Sequence, residues 1–258
     1  VRVARLLFES IGWETAAIKY KQFDKVFATL VVALQNLDEE ESVDRLLDRY
    51  AETVPQKTAR YIHLCDTRGY IFWLRGNFDE AIDWATQGDN LKEESQVDTS
   101  FDCKHTLALA QRDSGNPSEA LAYFLKGHDV SELVADEDSP TFEATTYGNV
   151  GRCLHLEGRL DEALICYKRS LNLLEDQTYA NASSNRAYAR RWTGQIHLQH
   201  GQWQLAAAFF IDGIRILGGS APSRVRELCA DLDVARQSDT FVMSETSAAR
   251  SVRAWMRG

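Results

Sequence analysis

The sequence predicts an all-α fold, an α-solenoid built from tandem helical hairpins. Three observations carry this reading. A turn in which Gly is followed five residues later by Ala recurs four times. Each turn separates two stretches whose apolar residues recur with helical spacing. Only 4 of 258 residues are Pro, and alternating apolar runs bounded by turn signals are scarce, which disfavours a sandwich or barrel.

The four turns are Leu74-Arg-Gly-Asn-Phe-Asp-Glu-Ala-Ile82, Asp113-Ser-Gly-Asn-Pro-Ser-Glu-Ala-Leu121, Leu156-Glu-Gly-Arg-Leu-Asp-Glu-Ala-Leu164 and Gln199-His-Gly-Gln-Trp-Gln-Leu-Ala-Ala207. Gly closes the first helix of each pair, and a capping residue followed by an acidic or apolar residue opens the second. Small residues recur elsewhere in the same register. They are Gly69, Ala108, Gly151 and Gly194 in the first helices, Ala81, Ala120, Ala163 and Ala206 in the second, and Gly88, Gly127, Ser170 and Gly213 further on. Close helix approach needs small side chains at such points, with bulky neighbours beside them. Phe72, Phe78, Phe124, Leu154, Leu160, Tyr167, Trp203 and Phe210 are those neighbours.

This pattern resembles the tetratricopeptide repeat family, whose 34-residue unit takes small residues at positions 8, 20 and 27 and usually Gly at position 15. Copies counted from Ile62, Phe101, Ala144 and Ala187 place all sixteen small residues on those positions. The resemblance covers 62–220 and implies a right-handed superhelix whose first helices line a concave groove. The sequence departs from the family pattern at position 4, where Cys65, Lys104, Tyr147 and Arg190 stand, and at position 11, where Gln111 and His197 stand. The alanines at position 20 lie 39, 43 and 43 residues apart, so the units are of a longer, about 40-residue type. The surplus falls in 94–99, 135–143 and 177–185, read as exposed connections or added helical turns.

Outside the repeats, 1–61 is read as N-terminal helices with a degenerate fifth copy. Lys21-Gln-Phe-Asp-Lys-Val26 mimics the turn and Ala33 takes position 27, although Trp13 and Glu14 stand where small or aliphatic residues are expected. Glu39 to Val54 reads as an extra charged helix ended near Pro55. In 221–258, Val225, Leu228, Cys229, Leu232 and Ala235 share one helical face, and a second helix from about Ser244 to Arg257 carries Val252, Trp255 and Met256. Both are expected to cap the apolar end of the array.

Thirty-eight acidic against 29 basic side chains leave a net charge of −9, which argues against generic attraction to nucleic acid or anionic lipid. The longest apolar runs, Leu30 to Leu34 and Leu205 to Ile211, are far too short to span a bilayer. The first twenty residues spread Arg2, Arg5, Glu9, Glu14 and Lys19 among apolar positions, unlike a signal peptide. Five scattered cysteines without a C-x-x-C point to reduced thiols and a cytoplasmic protein. No P-loop, dinucleotide fingerprint, nucleophile elbow or H-E-x-x-H occurs, so no cofactor is implied and no catalysis is expected.

Two clusters invite a metal reading. His197-x-x-His200 ends a first helix, where capping by imidazole is the simpler account. His63, Asp66, Asp102 and His105 occupy positions 2 and 5 of successive first helices, and the family geometry makes them converge on the groove. Solvated groove residues are the alternative to a metal set there. The resemblance further places Tyr70, Trp73, His105, Arg112, Asn149, Arg152, His155, Tyr188, Arg191 and Gln195, with Thr145, on the concave face. Aromatics beside Arg and amides are the usual composition of an interaction surface. Asn149-Val-Gly151 matches the Asn-Leu-Gly signature of peptide-holding relatives, whose amide grips the ligand backbone. The equivalents Thr67, Thr106 and Trp192 break any asparagine ladder. The two-carboxylate clamp of chaperone-binding relatives is argued against, since its positions here hold His105, Leu109, Asn149, Tyr188 and Trp192.

The leading expectation is a non-enzymatic scaffold that binds a protein or peptide in the groove, without nucleic acid or membrane. A second is the sensor or interaction arm of a larger signalling ATPase or protease. A third is an all-helical metalloenzyme at the His63 cluster. Asp66, Asp102 and Asp113 fall on the amino-terminal copies, whereas Arg152, Arg190 and Arg191 fall on the third and fourth around Asn149. That polarity predicts a partner with an acidic feature docked on repeats three and four. The competing account pairs these arginines with nearby acids such as Glu175 and Asp176.

Overall fold

In the computed structural model the described residues are 23–96, 99, 101–135, 142–178, 182–238 and 243–257, and they form thirteen helices and no strand. The chain divides into two compact units, 1–116 and 117–258. The start of the degenerate copy, with Trp13, Glu14 and Lys21, lies outside the described residues, as do 136–141 and parts of the other two connections.

The first unit contains α1 (Phe23–Asn36), α2 (Glu40–Thr53), α3 (Ala59–Arg75), α4 (Phe78–Ser95) and α5 (Cys103–Asp113). The charged helix expected over 39–54 is α2, and extended Val54 before Pro55 ends it. Thr58 caps α3, its hydroxyl accepting from the Tyr61 amide at 3.2 Å. Gly76 ends α3 in the left-handed region at φ 80°, its amide bonding back to the last turn. α3 and α4 then pair as a hairpin, and α5 packs across both. Position 27 explains the closeness: a Cβ on Gly88 would sit 2.6 Å from Cys103 Sγ and 2.9 Å from Cys65 Cβ. The core of this unit joins Phe27, Leu30, Val31 and Leu34 of α1 to Val43, Leu47 and Tyr50 of α2 and to Leu64 and Ile71 of α3. Each such side chain contributes roughly 1.5–3 kcal/mol of burial. The Tyr50 hydroxyl donates to Asp24 at 2.5 Å, so this buried polar tip is satisfied.

The second unit contains α6 (Pro117–Leu125), α7 (Val130–Val134), α8 (Ala144–Leu156), α9 (Leu160–Leu174), α10 (Ala182–Gln199), α11 (Trp203–Leu217), α12 (Pro222–Ser238) and α13 (Glu245–Arg257). α8/α9 and α10/α11 are hairpins, and the first helices α8, α10 and α12 neighbour one another in series. At Gly194 a Cβ would meet the Phe210 ring at 2.5 Å, and at Gly151 the Tyr167 ring at 2.8 Å. Ala163 and Ala206 are fully buried at the same crossings. α12 and α13 both pack on α11, covering its outer apolar face with Leu228, Leu232, Ala235, Ala248, Val252 and Met256. Cys229 departs from the expected apolar face and is exposed.

Gly127 departs too. α6 stops at Leu125, Lys126 and Gly127 turn the chain at φ 51° and 88°, and nothing lies within 4 Å of where a Gly127 Cβ would be. The glycine serves the turn and makes no helix crossing. The short α7 follows, opened by an Asp129/Glu132 capping box, and the Arg169 guanidinium of α9 donates to the carbonyls of Leu133 and Ala135.

Candidate functional site

Residues on successive first helices meet at a separation of about one repeat. In the first unit the Trp73 indole donates to Asp113 Oδ2 at 2.8 Å, and the Thr106 hydroxyl donates to Asp66 at 2.6 Å, each pair 40 residues apart. In the second unit Arg191 reaches Asp231 across the same 40 residues. The family spacing therefore does place same-face residues side by side.

In the first unit, Tyr70 and Trp73 of α3 are half-buried with ring centroids 5.2 Å apart. Arg112 of α5 lies over Trp73 at 5.9 Å. Arg112 is only 1% exposed and holds Asp113 with Nε at 3.0 Å and Nη2 at 2.6 Å. This side chain is thus a buried brace beneath the Trp73 indole rather than an exposed groove residue. A buried guanidinium needs its carboxylate, and Asp113 supplies it. His105 is exposed.

The four metal-ligand candidates do not converge. His63 is 1% exposed, its ring 3.8 Å from that of Phe101 and its Nε2 3.4 Å from the Thr67 hydroxyl. Burial depresses its pKa to about 4, with the Asp24 charge acting weakly the other way. Burial also raises the carboxyl of Asp66, opposed by the hydrogen bond from Thr106. Asp102, just ahead of α5, and His105 on it are exposed. Among the described residues no group of three or more His, Cys, Asp or Glu side chains is placed to hold a metal ion. At the other site, His197 Nδ1 lies 2.6 Å from Gln202 Oε1 and its ring packs on Phe209 and Trp255. Packing inside the hairpin, more than capping, accounts for this histidine.

The second unit gathers more. Asn149 and Arg152 of α8 and Tyr188, Arg191 and Gln195 of α10 are half-buried on the helices that adjoin each other. Tyr188 stacks on Trp192 at 5.3 Å and 17°, and Trp192 stacks on Tyr167 at 5.8 Å. Arg152 caps Trp192 at 5.6 Å, and Arg224 of α12 caps Tyr188 at 4.6 Å. The result is a ladder of two guanidinium groups and two rings. His155 is buried behind it, with Gln199 Nε2 at 3.2 Å from its Nε2 and the Tyr167 hydroxyl at 3.5 Å from its Nδ1. Burial, then the Arg152 charge, lowers its pKa to about 4, so it is neutral near pH 7.

Arg191 and Arg190 are neutralised within the chain. Arg191 donates through Nε to Asp231 at 2.7 Å and through Nη1 to Glu227, while Gln195 donates to the same Asp231 at 3.0 Å. Arg190 pairs with Asp212 at 2.6 Å and Glu175 at 3.3 Å. Of the anticipated acids Glu175 takes part, but the main carboxylates come from α11 and α12. Sequence reasoning missed Arg224, Glu227 and Asp231. Their signal was present, since 224, 227 and 231 share one face of α12 and lie 36 to 40 residues beyond Tyr188 and Arg191.

No helix among the described residues is long and apolar enough to cross a membrane. No curated protein matches the chain. The tetratricopeptide repeat model matches residues 100–176 and again 142–217, a stretch that takes in the α8/α9 and α10/α11 hairpins and the shorter α5, α6 and α7 before them. Taken with the helical hairpins, the left-handed glycine turns and the small residues at the crossings, this shows that the chain carries tetratricopeptide repeats over 100–217, which indicate a protein-protein interaction scaffold of paired helices.

Proposed function

We propose that this chain is a non-enzymatic scaffold that holds an extended protein or peptide segment with an acidic feature, along the face made by α8, α10 and α12. The observation that supports this most is the half-buried run of Asn149, Arg152, Tyr188 and Gln195 on helices whose opposite sides are sealed into the hairpins. Aromatic rings held by stacking, with Arg and amide groups beside them, contribute contact area at little entropic cost. Four buried free thiols, Cys65, Cys103, Cys153 and Cys166, fit a reducing compartment such as the cytoplasm. Burial pushes Cys65 and Cys166 up to about 12, which fits packing roles rather than nucleophilic ones.

The test is site-specific photocrosslinking with capped 13-residue peptide pools. A crosslinker in place of Tyr188 should capture peptide, and one in place of exposed Ile165 on the second helix α9 should not. Trp192→Ala should abolish capture at 188. Equal labelling from both positions would dismiss the face as the binding surface.

A further inference from the structure

Among the described residues, three arginine side chains are at least nine-tenths buried: Arg112 at 1%, Arg190 at 2% and Arg224 at 7% exposed. Two have a carboxylate 2.6 Å away, Asp113 and Asp212 respectively. Arg224 has none among the described residues. It rests on the Tyr188 ring at 4.6 Å, and its Nη1 is buried without any hydrogen-bond partner. Removing a guanidinium from water without an anion is costly, and one aromatic face offsets only part of that cost.

The chain has an acid within reach in sequence and spends it elsewhere. Glu227 lies one turn along α12 from Arg224, but it and Asp231 engage Arg191. Arg191 is thereby closed as an anion site, while Arg224 stands at the end of the Arg152, Trp192, Tyr188 ladder with its charge unmatched. The site is a built one: the position of Arg224 is set by Tyr188 on one side and by the packing of Leu228 and Leu232 on α11 on the other.

We propose that Arg224 is the anchor for a side-chain carboxylate, Asp or Glu, of an extended peptide lying across α8, α10 and α12. The proposal rests on the groove reading above and assigns its acidic feature to one residue. A carboxylate fits because the guanidinium fork takes its two oxygens in parallel, whereas a lysine ammonium would act only as a point charge. The flanking rings of Tyr188 and Trp192 supply the apolar floor for the neighbouring peptide residues, and Asn149 supplies an amide donor and acceptor for its backbone.

The experiment uses the full chain and two capped 13-residue pools, identical except for Glu or Gln at the central position, read by fluorescence anisotropy. The wild-type chain should bind the Glu pool at least tenfold more tightly than the Gln pool. Arg224→Gln should remove that preference and Arg224→Lys should keep part of it. α12 is held to α11 by its opposite face, so these variants should keep the wild-type melting temperature. A preference that survives Arg224→Gln overturns the proposal. So does a pool centred on phosphoserine that binds tenfold more tightly than the Glu pool. Equal binding of both pools that is lost in Trp192→Ala overturns the anchor and leaves the groove reading standing. Binding of neither pool overturns both.

Discussion

Arg190 places Nε 2.6 Å from Asp212 Oδ2, and both side chains are 2% exposed in the hairpin of α10 and α11. The pair stands at position 4 of its repeat, where a large apolar residue is usual, so an ion pair fills an apolar site. Glu175 and Arg215, both at the margin, satisfy the remaining groups at 3.3 and 2.7 Å.

A buried pair broken from one side leaves an uncompensated charge. Asp212→Ala is expected to cost about 3–5 kcal/mol in urea unfolding, whereas Arg215→Ala, which removes only the exposed partner, is expected to cost under about 1 kcal/mol. Replacing Arg190 and Asp212 together by Leu should cost less than Asp212→Ala alone. Equal losses for the two single variants would show that the pair is not the buried element described.

Gly194 tests the crossing of α10 and α11. A Cβ there meets the Phe210 ring at 2.5 Å, so Gly194→Ala should destabilise by about 1–3 kcal/mol through overpacking. Phe210→Leu in the same chain should recover part of the loss, a coupling that a double-mutant cycle in thermal unfolding would measure. Strict additivity would mean that ring and glycine do not meet.

Stability should fall as pH drops from about 6.5 to 4. His63 and His155 are both depressed to about 4 by burial, so the unfolded chain binds more protons throughout that window. The stabilisation is whole above the unfolded value and is lost as pH falls through the folded one, on the order of 3 kcal/mol for a shift of this size. Asp66, raised by burial, works the opposite way at the acid end. His63→Phe should therefore flatten the profile of unfolding free energy against pH between 6.5 and 4. An unchanged slope would count against the buried, neutral histidine.

Arg112 should matter to folding more than to binding. Arg112→Met strips Asp113 of its closest cation and loosens the floor under Trp73, at an expected cost of about 3 kcal/mol by chemical denaturation. Its affinity for the peptide pools should match wild type wherever the variant is folded.

The hairpins were legible because their determinants are local and periodic. Gly76, Ala81 and Gly88 recur at fixed spacing, and each answers a short-range demand for a turn or a close crossing. Gly127 shows the limit of that logic: it sits at the right count, yet Lys126 has already ended the helix, and no count registers a helix that stops early. Burial of charge was less legible. Arg112 and His155 take position 12 of their repeats, as half-buried Trp73 does, and only the neighbouring helix decides which of them is covered. The neutralisation of Arg191 depends on two carboxylates of α12, a helix whose apolar side alone had been informative.

The glycines that close the first helices carry a consequence for handedness. At Gly76, Gly115 and Gly158 the backbone sits at φ 80°, 107° and 79°, and no atom lies within 4 Å of an added Cβ. Space is therefore not what demands glycine there; the sign of the dihedral is. A residue of mirror-image chirality prefers that sign. D-alanine placed at position 158 by chemical ligation should narrow the unfolded ensemble without straining the fold, raising stability by about 0.4–1 kcal/mol, whereas L-alanine at the same place should lower it. The first helices of this protein end on points where the chain is, for one residue, indifferent to bulk and selective only for stereochemistry.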